Sequence, residues 1–218
     1  MTQLKICGLR HPEQARAVAA LGVDAIGVIA VPGSPRHLDA ALRPALFAAI
    51  EAERPACRRV LVVADPSDDD LPALLPKWGH TVLQLHGQET PERCAVLRER
   101  LGLPVWKALR VREPAQLEGC AAWLGVVDAL LLDAWVPGSL GGTGQPIPPH
   151  WLASFAPPVP WWLAGGVTPE RVPDLLARLR PTGLDASSGV EDAPGEKNLA
   201  RIAGLLAAVR EAAGSGTP

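Results

Sequence analysis

The sequence predicts an α/β protein that folds as a single-domain (β/α)8 TIM barrel. Short apolar runs alternate with longer amphipathic runs along the whole chain of 218 residues, and eight such strand-then-helix units can be counted. The runs between the strands are long enough for the helical crossovers that parallel strands need. Eight units in a chain of this length favour a closed barrel. An open doubly wound sheet would usually carry a glycine-rich phosphate turn after its first strand, and KICGLR is not such a turn.

The predicted strands are short runs of mostly aliphatic residues. In chain order they are LKICG (4–8), AIGVIA (25–30), RRVLVVAD (58–65), TVLQLHG (81–87), VWKALR (105–110), ALLLDA (129–134), PWWLAGG (160–166) and GLDASSG (183–189). Side chains alternate between the two faces of a strand, so Lys5 and Cys7 share one face of the first strand, and Leu4 and Ile6 share the other.

An amphipathic run follows each predicted strand. The runs cover 12–21, 40–53, 71–78, 91–101, 115–123, 149–154, 169–179 and 198–212. Pro12, Pro91, Pro114 and Pro169 stand at predicted helix starts, where proline is favoured because its missing N–H would have no partner anyway. The fifth helix carries the weakest pattern.

No internal boundary divides the chain. The proline-rich stretch 146–160 separates two strands by one short helix and is interpreted as a loop-rich βα unit, not as a linker. We therefore expect one barrel domain over residues 1–212. Residues 213–218 are expected to form a disordered C-terminal tail.

Composition and charge narrow the class of partner. A formal net charge of −2 argues against a general affinity for nucleic acid or for an anionic membrane. The chain has no apolar run of about 18 residues, so no membrane span is expected. The four cysteines form no C-x-x-C pair, which favours reduced thiols, a cytoplasmic location and no structural zinc. With no H-x-H or paired carboxylates at metal spacing, no metal site is expected either.

Polar residues gather where the predicted strands end, and the active site of this fold lies at that end of the barrel. A purely structural core would place aliphatic side chains there, because burying an unpaired charge is costly. The candidates that fall at this rim are Cys7, Arg36, Gln84, His86, Asp133, Asp185 and Ser187.

Three glycine-rich stretches fall at the same rim: LGGTGQ (140–145), LAGGV (163–167) and DASSGVE (185–191). Glycine lets backbone N–H groups approach an anion closely, and the loops after strands seven and eight commonly bind phosphate in this fold. A single Gly-Gly pair would indicate only a tight turn. Three such loops on one rim predict a phosphate site, formed by Gly142, Gly144, Gly165, Gly166, Ser187, Ser188 and Gly189.

The order of these motifs resembles that of one family. KICG, SPR, LQLHG, LLLDA followed by GGTG, LAGG, and D-x-SSGVE followed by PG-x-K occur in this sequence from Lys5 to Lys197. The chain is similar along nearly its whole length to the phosphoribosylanthranilate isomerases of tryptophan biosynthesis. The resemblance implies an Amadori rearrangement of a small-molecule substrate, phosphoribosylanthranilate, with no cofactor and no metal.

The resemblance also implies roles for individual residues. Cys7 would be the general base and Asp133 the general acid. Arg36 would pair with the anthranilate carboxylate, and Asp185 would contact the sugar hydroxyls. His86 could be a base if it is considered alone, but its place at the strand end favours a hydrogen-bonded histidine of the barrel rim that contributes to substrate binding.

The chemistry of such a rearrangement independently requires one acid and one base. Opening the furanose needs a proton on the ring oxygen, and the resulting cation acidifies the C2–H, which a base then removes. A thiol with an ordinary pKa of ~8.5 is only a few per cent thiolate at neutral pH. Lys5, on the same face of the strand as Cys7, is expected to lower that pKa.

Two alternatives remain at the level of the sequence. One is the related aminoaldose isomerase of histidine biosynthesis, on the same fold. That family resembles a duplicated half-barrel, uses an aspartate where this chain has Cys7, and needs a second phosphate loop that is not found after strands three or four. The other is a non-catalytic barrel that binds a sugar phosphate. Either a monomer or a homodimer is expected.

Overall fold

Eight parallel strands close into a barrel in the order β1 to β8, which confirms the predicted fold. The structure is a computed structural model and describes residues 1–136 and 144–214. The strands are β1 (Gln3–Cys7), β2 (Ala25–Ile29), β3 (Arg58–Val63), β4 (Val82–Leu85), β5 (Val105–Val111), β6 (Ala129–Ala134), β7 (Trp161–Ala164) and β8 (Gly183–Ala186).

Five α-helices and several 3-10 helices are found in the part of the chain that the structure describes. The α-helices are α1 (Pro12–Ala20), α2 (Arg43–Glu53), α3 (Pro91–Leu101), α4 (Val172–Arg178) and α5 (Leu199–Gly214). The weak fifth segment forms a 3-10 helix, Pro114–Trp123. Of the predicted tail, residues 215–218 lie outside the described residues. Within the part of the chain described here, no helix is long and apolar enough to cross a bilayer.

Two further predicted helices are also 3-10 helices and not α-helices. The segment 71–78 forms two 3-10 helices, Leu71–Leu74 and Pro76–Trp78. Pro76 removes a backbone donor four residues after Pro72, and Gly79 ends the segment in the left-handed region at φ 101°. The segment 149–154 likewise reduces to the 3-10 helix Pro149–Trp151, which follows another proline.

Alternation along the strands separates an inner core from an outer one. The inner core comprises Cys7, Ala25, Val60, Val62, Val82, Trp106, Ala108, Ala129, Leu131, Trp162 and Ala164. The rings of Trp106 and Trp162 stack inside the barrel with centroids 4.8 Å apart. Gly183 makes room for this stack, since a Cβ there would lie 2.3 Å from the Trp162 ring.

The chain adds one element that the sequence analysis did not predict. After β8 it forms a 3-10 helix, Ser188–Val190, and then an antiparallel hairpin of β9 (Glu191–Ala193) and β10 (Glu196–Lys197). The hairpin turns at Gly195, whose φ of 86° favours glycine. It brings Glu191 and Lys197 opposite each other near the C-terminal mouth of the barrel.

Candidate active site

A cavity of about 490 Å³ opens at the C-terminal ends of the strands. Every predicted catalytic and substrate-binding residue lines it: Cys7, Arg36, His86, Asp133 and Asp185. Six of the seven predicted phosphate-site residues line it as well, namely Gly144, Gly165, Gly166, Ser187, Ser188 and Gly189. The seventh, Gly142, lies outside the described residues.

Cys7 lies beside a buried ion pair. Lys5 Nζ is 2.9 Å from Asp185 Oδ2, across the register in which β1 pairs with β8, and the Lys5 side chain is fully buried. Gly27 on β2 leaves space for both β1 side chains, because a Cβ there would lie 2.7 Å from Cys7 Sγ and 3.2 Å from Lys5 Cε. The three functional groups therefore meet where β1, β2 and β8 adjoin.

Burial and charge act in opposite directions on the Cys7 thiol. Burial raises its pKa above the ordinary value, while the Lys5 and Lys197 ammonium groups lower it and Asp185 raises it further. Lys5 thus acts in the direction that the sequence predicts, but burial outweighs it. Burial would lower the pKa of Lys5 itself, yet Asp185 and Cys7 together raise it, so Lys5 stays cationic.

Asp133 is the penultimate residue of β6, and its two carboxylate oxygens have different surroundings. Oδ1 accepts a hydrogen bond from the Ala134 N–H at 2.9 Å, and Oδ2 lies 3.6 Å from His86 Nε2. Gln84 Nε2 lies 3.1 Å from His86 Nδ1. An amide N–H donates, so Nδ1 accepts and the imidazole proton is on Nε2, directed at Asp133.

Arg36 reaches the cavity from the loop after β2 and is held by Glu191. Its Nε and Nη2 donate to the Glu191 carboxylate at 2.6–3.1 Å, with both side chains buried. Its aliphatic stem lies against Gly8, where a Cβ would be 2.6 Å from Arg36 Cδ. Sequence reasoning identified Arg36 but missed Glu191. The signal available was the Pro-Gly turn between Glu191 and Lys197, which is typical of a hairpin.

The three glycine-rich loops contact one another where the phosphate site was predicted. A Cβ on Gly165 would lie 2.3 Å from the Gln145 carbonyl oxygen, and one on Gly189 would lie 2.4 Å from the Val167 carbonyl oxygen. A Cβ on Gly144 would lie 3.2 Å from Ser188 Oγ. Within the described residues, no hydrogen-bond acceptor is found for the backbone amides of Gly165, Gly166, Ser188 and Gly189. Amides gathered in this way suit an anion.

Three buried side-chain atoms around the cavity make no hydrogen bond to the described residues. They are Gln84 Oε1, His86 Nε2 and Asp185 Oδ1. Each such atom costs about 1–3 kcal/mol unless a partner satisfies it. Two acceptors and one donor around one cavity suit a ligand with several hydroxyl groups. Among the described residues, no group of three or more His, Cys, Asp or Glu side chains is placed to hold a metal ion.

Comparison with known proteins assigns the family. The family profile of N-(5'phosphoribosyl)anthranilate (PRA) isomerase matches residues 4–208. The chain belongs to this family. The isomerase of Thermosynechococcus vestitus is 45% identical to it over 204 residues, which cover 93% of this chain and 87% of that protein.

Solved structures of the family have the same fold. The phosphoribosyl anthranilate isomerase of Thermus thermophilus is 36% identical, with a TM-score of 0.82 over 96% of this chain and 99% of that one. Another isomerase, solved with reduced 1-(o-carboxyphenylamino)-1-deoxyribulose 5-phosphate, is 27% identical, with a TM-score of 0.79 over 97% and 100% of the two chains.

Family membership establishes the reaction. The chain is an enzyme, a phosphoribosylanthranilate isomerase, and it converts an aminoaldose to a ketose in tryptophan biosynthesis. The predicted function is confirmed. In place of a second phosphate site, the rim after β3 and β4 carries the acidic side chains Asp65 and Glu89, which do not favour phosphate.

Proposed function

We propose that this isomerase works by general acid–base catalysis, with Cys7 as the base and Asp133 as the acid. The observation that carries the proposal is that these two side chains line one cavity from strands three places apart around the barrel. A substrate between β1 and β6 has a different proton-transfer group on each side. Such an arrangement suits a reaction in which one atom gains a proton and another loses one.

The first proton transfer opens the sugar. Asp133 gives its proton to the ring oxygen as the C1–O bond breaks, and the nitrogen lone pair forms the C1=N bond of a protonated imine. The Asp133 carboxylate that remains accepts the Ala134 N–H and faces His86 Nε2–H at 3.6 Å. Both donors stabilise the charge that this step creates.

The second proton transfer completes the isomerisation. The cationic imine acidifies the C2–H, and the Cys7 thiolate removes that proton to form an enolamine. The enolamine then tautomerises: C1 gains a proton and the C2–OH loses one as it becomes a carbonyl, which gives the ketose. Lys5 and Lys197 favour the thiolate, because each cation lowers the Cys7 pKa.

The remaining groups bind the parts of the substrate that do not react. Arg36 has a planar fork of donors for the anthranilate carboxylate. Asp185 Oδ1 and Gln84 Oε1 are acceptors for sugar hydroxyls. The converging amides at Gly144, Gly165, Gly166, Ser188 and Gly189 bind the phosphate, and Gly142 is proposed as a further contributor. The ligand in the solved complex carries the same three chemical groups.

Two broader properties are also proposed. A relative from Thermotoga maritima is dimeric, and we expect this chain to be either a monomer or a homodimer, which light scattering of the purified protein decides. The four cysteines are free and buried, which fits the reducing cytoplasm.

Turnover of freshly prepared phosphoribosylanthranilate, followed by the loss of its fluorescence, tests the acid–base pair. Cys7→Ser and Asp133→Asn are each expected to lower kcat by about 10²–10⁴-fold, the usual contribution of a positioned acid or base. Cys57→Ser, a matched change of a buried cysteine away from the cavity, should leave kcat within a factor of about two of the wild type. Full activity in either active-site variant would remove that residue from the mechanism.

A further inference from the structure

The Glu191 carboxylate is the centre of a buried ion cluster next to the cavity. It accepts hydrogen bonds from Arg36, from Lys197 Nζ at 2.5 Å and from the Gly195 N–H at 3.1 Å. Only 4% of its side chain is exposed. Burial alone would raise the pKa of Glu191, but Arg36 and Lys197 outweigh burial and lower it, so the group is a carboxylate at neutral pH. A charge buried this deeply needs its partners, and the hairpin β9–β10 supplies them.

Glu191 occupies one edge of the Arg36 guanidinium and leaves the other edge available. The Nε and Nη2 donors point at the carboxylate oxygens. Within the described ranges 1–136 and 144–214, no side chain or carbonyl accepts a hydrogen bond from Nη1. Arg36 itself lines the cavity. The Nη1–Nη2 edge can therefore bind a second planar carboxylate while Glu191 fixes the plane of the guanidinium.

The charges of the cluster favour such a ligand. Arg36 and Lys197 carry two positive charges, and Glu191 carries one negative charge. One positive charge remains at the cavity wall, where the surroundings screen it less than bulk water would. The stem of Arg36 against Gly8 limits its movement further, so the guanidinium is oriented before any ligand binds.

We propose that Glu191 is a positioning residue that determines specificity for the aryl carboxylate of the substrate. It acts through Arg36, because it fixes the orientation of the guanidinium and so directs the Nη1–Nη2 edge at the substrate carboxylate. This inference rests on the role proposed above for Arg36. The proposal also gives the hairpin after β8 a function. The hairpin places Glu191 within hydrogen-bond distance of Arg36, which lies 155 residues earlier in the chain.

Two substrates test the proposal: phosphoribosylanthranilate and N-(5-phosphoribosyl)aniline, the same glycosylamine without the carboxylate. Glu191→Gln should raise KM for the first substrate about tenfold, with a smaller change in kcat, and should change KM for the second by less than about twofold. Combined with Arg36→Met, it should add no further loss, because residues that act as a unit are not additive. Glu51→Gln removes an exposed partner of Arg59 and serves as the matched control, with both KM values unchanged.

A structural role alone would not move the ratio of the two KM values, so that ratio is the decisive readout. The proposal would be overturned if Glu191→Gln changed the KM values of both substrates equally while Arg36→Met still raised KM for phosphoribosylanthranilate more than KM for the aniline analogue. Equal effects of Arg36→Met on both substrates would instead overturn the role of Arg36. Where Glu191→Gln does not fold, Glu191→Asp keeps the charge, shortens the side chain by one methylene, and is expected to change the ratio in the same direction.

Discussion

Lys5 and Asp185 form a buried ion pair, 2.9 Å from Nζ to Oδ2, beside the thiol that we assign as the base. The pair is a consequence of register, since β1 and β8 place these residues side by side. Asp185 keeps the ammonium of Lys5 charged inside the barrel, and that ammonium then favours the thiolate of Cys7. A buried charge network of this kind serves chemistry more than stability.

Replacing Lys5 by methionine should move the pH–rate profile. The base must be a thiolate, so kcat/KM rises with pH through the Cys7 pKa. Removing the cation raises that pKa, because Lys5 lowers it and Asp185 raises it. The rising limb should therefore shift to higher pH in Lys5→Met, as measured by kcat/KM across neutral and alkaline pH.

Lys107→Met is the matched control for that change. Lys107 pairs with Glu89 at 2.6 Å in an equally buried ion pair that does not line the cavity. Both variants should lose roughly 3–5 kcal/mol of unfolding free energy, as broken buried pairs do. Only Lys5→Met should shift the rising limb of the pH–rate profile. A limb that stays in place in Lys5→Met would show that Lys5 has no influence on the base.

Gly166→Ala should weaken phosphate binding. Gly166 has a φ of 61°, and a Cβ there would lie 2.2 Å from Arg171 Nη1, the far end of a flexible side chain, and 2.8 Å from the Gly144 carbonyl oxygen, which is backbone. The added methyl group must push the two loops apart, so KM for the substrate and the inhibition constant of inorganic phosphate should both rise. Steady-state kinetics with and without phosphate measures both quantities.

Gly102→Ala separates this effect from backbone strain. Gly102 ends α3 with a nearly equal φ of 62°, but no heavy atom lies within 4 Å of its Cβ position. Both variants should lose about 1 kcal/mol of stability from the left-handed conformation. Gly102→Ala should leave KM unchanged. If the two variants had the same KM, the loops would not bind the phosphate.

Alkylation should distinguish Cys7 from the other thiols. Burial raises the pKa of all four thiols, that of Cys57 and of Cys120 to about 11 and that of Cys94 to about 12, so access to the cavity is what distinguishes them. None of these three lines the cavity, whereas Cys7 does. Iodoacetamide should inactivate the enzyme as it labels Cys7, and product should protect it. Peptide mass spectrometry identifies the site, and label on another cysteine that tracked the loss of activity would contradict this assignment.

The sequence predicted the barrel and the placement of its rim residues because both depend on local patterns. Alternation put Lys5 and Cys7 on one face, and strand ends put His86, Asp133 and Asp185 at the same mouth. The segment 71–78 was mistaken for a helix because its apolar spacing is helical, while Pro76 prevents the hydrogen bonds.

The Pro-Gly turn indicates a hairpin, but the role of Glu191 could not be assigned from its neighbours in the sequence. A glutamate in a short polar segment is typical of a solvated loop. Its burial depends on Arg36 and on Lys197 across a hairpin, and the first of these contacts joins residues 155 positions apart. Long-range pairing of this kind leaves no periodic signal. The position of the proton on His86 depends instead on a local contact, the hydrogen bond from the Gln84 amide two residues earlier, whose orientation the sequence pattern does not specify.

Isotope effects with substrate deuterated at C2 test the central claim, that Cys7 removes the C2 proton and Asp133 opens the ring. In Cys7→Ser the C2 step becomes rate-limiting, so the isotope effect on kcat should exceed that of the wild type. In Asp133→Asn ring opening becomes rate-limiting, and the isotope effect should fall towards unity. The reverse pattern, with a large effect in Asp133→Asn and none in Cys7→Ser, would contradict the assignment of the two roles.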